Sequence, residues 1–173
     1  MIIKFHKVNL KKKFPLQISR GIHSESQNVF IELIEDGITA WGESAPGKTE
    51  GASSAIQVEE SLVKLIEEGI EGLSIYDVYQ KGKELKTPPC ALAALDIALW
   101  DLKAKKANLQ LNDLLGIPKP STPTSITVGI NPPEVVKKRV ELILKNKQVR
   151  ALKIKLGSPN GIDYDKEIYS QVL

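Results

Sequence analysis

Apolar positions fall into two rhythms along the chain, alternating in some stretches and helical in others. Met1 to Asn9 is short and rich in apolar residues. Val29 to Glu35 is a strand, and Asp36-Gly37 then supplies the strongest hairpin signal, because both central positions of a type I′ turn need positive φ. The return strand is Ile38 to Gly42. Between the first two strands lies a polar segment, Gln17 to Gln27, containing Gly21; it reads as a long loop, and long loops in compact domains often carry function.

The middle of the chain is helical. Ala55-Ile56, Leu62-Val63 and Ile66 recur at helical spacing, with Gly69 placed to stop the helix. Ser74 followed by Asp77 resembles a capping box and opens a helix from Ile75 to Leu85. Pro88-Pro89 opens the next helix, where the missing N–H costs nothing. Leu92, Leu95, Leu99 and Leu102 form its apolar stripe, and the alanines between them allow another element to approach closely. A short helix, Leu109 to Leu115, ends at Gly116.

Three prolines in Ile117 to Pro123 deny both helix and central strand and mark a domain boundary. Beyond it the pattern becomes strand, helix, strand, helix: Thr124 to Ile130, a helix striped by Val136, Val140, Ile143 and Leu144, then Ala151 to Leu156, then a helix from Asp163 toward Leu173. This alternation predicts the start of a parallel α/β array. The boundaries are 1–117 for a first domain and 118–173 for the array.

Composition narrows the classes without choosing one. The 173 residues carry 42% hydrophobic and 26% charged residues, ordinary values for a globular chain with a real core. A net charge of +3, with lysines scattered among glutamates, argues against nucleic acid as a partner. Lys11-Lys12-Lys13 reads as a solvated strand end or loop. A single cysteine, Cys90, excludes an intrachain disulfide and a Cys-based metal cluster, and its alanine-rich surroundings mark it as a small buried helix residue. Only His6 and His23 are present, so no two-His metal motif lies on one helix. There is no signal-peptide core and no stretch long enough for a membrane span, so no membrane partner and a cytoplasmic location are the expectations.

The chemistry concentrates on the second strand of the array. Side chains alternate across a strand, so Leu152, Ile154 and Leu156 share one face, and Ala151, Lys153 and Lys155 share the other. In the first strand Ile126, Val128 and Ile130 oppose Ser125, Thr127 and Gly129. In a parallel barrel the outer face packs under helices, while the inner face at the C-terminal rim carries the site. Two lysines separated by one residue disfavour each other's charge, as does partial burial, and a neutral amine is what a general base requires. By spacing alone, a half-exposed strand with two solvated lysines is the more natural reading. Asp96 and Asp101, five apart on one helix, do not face one another and read as structural. Asp36 belongs to a turn, Glu43 to local hydrogen bonding, and Asp163 and Asp165 to a helix N-terminus.

Several segments resemble the mandelate racemase and muconate lactonizing branch of the enolase superfamily. Trp41-Gly42-Glu43-Ser44-Ala45-Pro46 is similar to the turn of its cap domain. Ala94 to Lys105 is similar to its long helix, Leu115-Gly116 with the proline link to its barrel entry, and Leu152 to Gly157 to its Lys-x-Lys strand. The resemblance implies an α+β capping domain followed by the first two β/α units of a modified (β/α) TIM-type barrel. It implies Lys155 as a base on one face of a substrate α-carbon and Lys153 as the group that tunes it or stabilises the enolate. Pro15 to Gly21 is similar to the mobile cap loop. Its Ile-Ser-Arg-Gly ending resembles dipeptide epimerases, which implies Arg20 as a carboxylate-binding group and Thr127 as a substrate-binding residue on the first barrel strand.

The reaction implied is 1,1-proton transfer on a small carboxylate or dipeptide substrate with Mg²⁺. The metal ligands and the opposite-face lysine are expected on later barrel strands, beyond Leu173, so this chain offers no metal residue and alone is expected to be inactive. Muconate cycloisomerase and o-succinylbenzoate synthase share the Lys-x-Lys strand and stay open as alternatives, as does a non-catalytic fragment or interaction module. A homo-oligomer or a complementing C-terminal barrel segment is the expected partner.

Overall fold

The computed structural model describes residues 1–146 and 148–173. They pack as two compact units: residues 1–10 with 26–119, and residues 11–25 with 120–173.

The first unit is built on a three-stranded sheet in the order β1 (Ile2–Ile18), β2 (Gly21–Glu35), β3 (Ile38–Ser44). β2 and β3 pair antiparallel from Val29↔Ser44 to Glu35↔Ile38. The turn between them has Asp36 at φ 53° and Gly37 at φ 76°, the positive pair that the Asp-Gly dipeptide predicts. Val29, Ile31 and Leu33 alternate onto the buried face of β2, and Ala40 continues that face on β3.

Three helices complete the unit, α3 (Pro89–Lys106) on the sheet and α1 (Ala55–Glu67) and α2 (Ile75–Glu84) against α3. Ser54 caps α1 by accepting the Gln57 N–H at 3.2 Å, and Gly69, at φ 83°, closes the helix by donating to the Ile66 carbonyl. Val58, Leu62 and Leu65 form the buried stripe of α1. Ser74 accepts the Asp77 N–H at 3.1 Å, as expected for a cap. Its hydroxyl also donates to the Asp77 carboxylate at 2.6 Å; the Asp side chain binds the cap hydroxyl where a longer Glu would reach back to the cap backbone.

α3 is the central helix. Leu92, Leu95 and Leu102 are buried with Ala91, Ala94 and Ala98, while Leu99 is only partly so. The alanines let β3 approach until no side chain fits between them: a Cβ added to Gly42 would lie 1.9 Å from the Ala94 carbonyl oxygen. Asp101 fastens the same pair of elements, accepting the Trp41 N–H at 2.9 Å and the Lys105 ammonium at 2.7 Å. Lys105 also donates to the Thr39 carbonyl at 2.9 Å. Asp101 is therefore structural, as its phase on the helix predicts. The short helix α4 (Leu111–Leu114) ends in a Gly116 turn at φ 67°.

The second unit contains β4 (Ser125–Val128), α5 (Pro133–Leu144), β5 (Ala151–Ile154) and α6 (Ile162–Ser170). β4 and β5 pair parallel, as the alternation predicts, with Thr127 opposite Lys153. Val128, Ile130, Val136, Val140 and Ile168 form a small core of their own, joined by Leu152 and Ile154.

One expectation needs correction. Residues 17–27 do not form a loop: β1 runs on to Ile18, a turn holds Ser19 and Arg20, and β2 begins at Gly21. This hairpin end buries neither face fully, so its sequence lacks the alternation that marks a half-buried strand. Residues 11–25 pack with 120–173. A 17-residue strand is far longer than usual, so one element can take part in both units.

Candidate active site

The second unit brings the four candidate residues to one end of a two-stranded ladder. Thr127 and Lys153 are direct partners in the parallel register, so their side chains rise from the same face. Lys155 follows two positions later on that face and stays tied to the ladder: its N–H donates to the Val128 carbonyl at 3.0 Å. Lys153 is exposed and Lys155 half-buried. The apolar alternation behind them, Leu152 and Ile154 packed into the small core, fixes which face the lysines take.

The hairpin of residues 11–25 lies along the C-terminal ends of both strands. The Ile130 N–H donates to the Gln17 carbonyl at 2.9 Å. Gly129 is required there, since a Cβ would sit 2.9 Å from both the N and the O of Gln17. At the tip, the Ser19 Cβ lies 3.6 Å from where Gly157 would carry its own. Arg20, next to Ser19 in the turn and exposed, therefore sits by the loop that begins two residues after Lys155. The C-terminal rim of parallel strands is where α/β barrels assemble their sites.

Two residues that the sequence reading did not place at the site support it. Asp165, assigned from sequence to helix N-terminal charge, is buried to 8% exposure. Its carboxylate accepts the N–H of Gly157 at 2.8 Å and of Ser158 at 3.0 Å, fixing the loop after β5. Arg139, on α5, donates to the Thr127 carbonyl at 3.2 Å and stacks over the Phe14 ring at 4.2 Å. Burial pushes the Arg139 guanidinium below its usual value, and its Nε is enclosed without a hydrogen-bond partner among the described residues. Asp165 binds N–H groups of the loop just before its own helix, whereas Arg139 joins Thr127 to Phe14, far apart along the chain.

Glu43 behaves as the sequence suggests, accepting from the Asn28 amide at 2.5 Å. A groove of about 680 Å³ in the first unit, lined by Tyr79, Leu92, Asp96 and Trp100 among others, contains none of the four candidates. Among the described residues no group of three or more His, Cys, Asp or Glu side chains could hold a metal ion. The donor set present here thus does not fit Mg²⁺. Among the described residues, no helix is long and apolar enough to cross a membrane.

Comparison with known proteins agrees with this architecture. Residues 2–116 match the family model described as "Mandelate racemase / muconate lactonizing enzyme, N-terminal domain", and the chain belongs to that family. It is 56% identical over 173 residues to the hydrophobic dipeptide epimerase of Flavobacteria bacterium strain MS024-2A, covering all of this chain and 50% of that protein. It is 49% identical to the hydrophobic dipeptide epimerase of Roseobacter litoralis, covering 99% of this chain and 49% of that one. The crystal structure of a dipeptide epimerase from Enterococcus faecalis V583, complexed with Mg and the dipeptide L-Leu-L-Tyr, superposes with a TM-score of 0.86 at 26% identity. That match covers 98% of this chain and 48% of the other. The chain spans about half the length of the curated relatives it matches.

Proposed function

We propose that this chain is the N-terminal portion of a dipeptide epimerase, in which Lys155 removes the α-proton on one face of the substrate. The observation that carries this reading is the common face of Thr127, Lys153 and Lys155 at a strand end crossed by the Arg20 hairpin. Residues 118–173 would then be the first two β/α units of the barrel, following a capping domain in the sequence.

In this reading the Lys155 amine accepts the α-proton, and electrons from the broken C–H bond move onto the adjacent carbonyl to give an enediolate. Lys153, one position along the same face, adds positive charge that favours the developing oxyanion. Arg20 pairs with the substrate's carboxylate end, where a planar guanidinium can make two parallel hydrogen bonds. Thr127 contributes a hydroxyl beside Lys153. Reprotonation from the opposite face inverts the centre, and requires a group on the barrel strands outside this chain's two.

Mg²⁺ is the metal in the solved E. faecalis complex, and its ligands are assigned to those other strands as well, since the described residues offer no set. No step here runs through it. The enclosed site requires the remaining β/α units, whether from one polypeptide or from a complementing segment, and the assembly is expected to be a homo-oligomer. The reading is tested by incubating the full-length enzyme with L,L-dipeptides and Mg²⁺ in D₂O and following the α-proton signals by NMR. Loss of one residue's α-proton signal with appearance of the epimer is the expected result. Intact α-protons across a panel of hydrophobic, acidic and basic dipeptides would refute it.

A further inference from the structure

The hairpin carrying Arg20 needs an anchor, because its own face buries little. Its strand ends at a turn, its flanks are exposed, and its backbone contact to the ladder described above is the Gln17–Ile130 hydrogen bond. A hairpin so lightly buried opens readily on its own. Arg139 supplies the missing contact. Its Nη2 donates to the Thr127 carbonyl, while the guanidinium Cζ lies over the ring of Phe14, three residues before Gln17, at 4.2 Å from the ring centre. The Val128 carbonyl is engaged by β5 through Lys155, so the neighbouring Thr127 carbonyl points to the opposite edge of β4, where Arg139 takes it. One side chain thus grips the strand through a hydrogen bond and the hairpin through a cation–π stack.

We propose that Arg139 is a positioning residue: it clamps the hairpin of residues 11–25 onto the strand that carries Thr127, and so holds Arg20 over the end of the lysine strand. The consequence for substrate rests on the function proposed above; the clamp does not. Lysine is a poor substitute, since its ammonium cannot stack as a plane and hydrogen-bond at once.

Amide hydrogen exchange on the 173-residue chain tests the clamp directly. In Arg139→Ala the Ile130 N–H, whose acceptor is Gln17, should exchange about tenfold faster, with Val136 and Ile168 in the same unit unchanged. Phe14→Leu should reproduce this, and Phe14→Trp should restore protection. Unchanged Ile130 exchange in both Arg139→Ala and Phe14→Leu overturns the proposal. So does a uniform rise that includes Ile168, which would mark a general packing role. Should Arg139→Ala fail to fold, Phe14→Leu, which leaves α5 intact, carries the same test. In the full-length enzyme Arg139→Ala should raise KM about tenfold with kcat within about twofold. Faster Ile130 exchange with unchanged KM supports the clamp and counts instead against the role given to Arg20.

Discussion

Asp165 accepts the backbone N–H of Gly157 at 2.8 Å, reaching from the first turn of α6 back to the loop that follows the lysine strand. The same carboxylate takes the Ser158 N–H at 3.0 Å. Two donors of a loop that would otherwise be free to fluctuate are thereby satisfied by one buried charge. Removing it should cost more than an ordinary surface change. Asp165→Ala is expected to destabilise the second unit by about 2–4 kcal/mol, and Asp165→Asn, which keeps one acceptor, by about half that. Both tryptophans, Trp41 and Trp100, lie in the first unit, so fluorescence will not see the change. Amide exchange at Val128 and Ile168 will.

Gly42 makes the complementary prediction for the first unit. A methyl at this position would fall 1.9 Å from the Ala94 carbonyl oxygen, with backbone atoms of Ala94 and Ala98 at 3.0 Å. Backbone cannot swing aside as a flexible side chain can, so β3 and α3 must separate. Gly42→Ala should lower stability by about 2–3 kcal/mol. The urea midpoint read by Trp41 and Trp100 fluorescence measures it.

Asp96 sets a pH dependence. Burial pushes its carboxyl above the ordinary value of 3.8, so the folded state holds this proton more tightly than the unfolded state. The penalty on folding is therefore absent below pH 3.8 and grows as pH rises through the raised value. Asp96→Asn removes it. The variant should match the parent near pH 3 and exceed it at pH 7 by about a few tenths of a kcal/mol, since the site is well hydrated. Urea titrations at the two pH values make the comparison, and equal stability at pH 7 would show no net burial cost.

Much of this arrangement could be read from the residues. The Asp36-Gly37 turn, the alanine-rich face of α3 and the parallel alternation after the prolines are local patterns, and the structure repeats them. The shared face of Lys153 and Lys155 follows from strand geometry. What stayed hidden depends on which groups the packing brings together. The segment 17–27 looks like a loop because its hairpin pairs backbone without burying a regular face. Asp165 and Arg139 carry no signal beyond residue type, since a helix-start aspartate and a helix arginine are ordinary surface choices until the packing is known.

The absence of a fitting donor set among the described residues makes a metal prediction. Titrating the 173-residue chain with Mg²⁺ by calorimetry should give no stoichiometric heat, whereas the full-length enzyme should bind with about one site. Tight binding to the shorter chain would contradict the assignment of the ligands to other strands.

The central claim concerns Lys155, and the most direct measurement follows hydrogen rather than turnover. Full-length enzyme carrying Lys155→Ala is incubated with each epimer of a substrate dipeptide in D₂O, and α-proton exchange is recorded by NMR. If Lys155 is the base on one face, exchange from one epimer is abolished while the group on the other face still acts on its own. Exchange retained from both epimers would contradict the account.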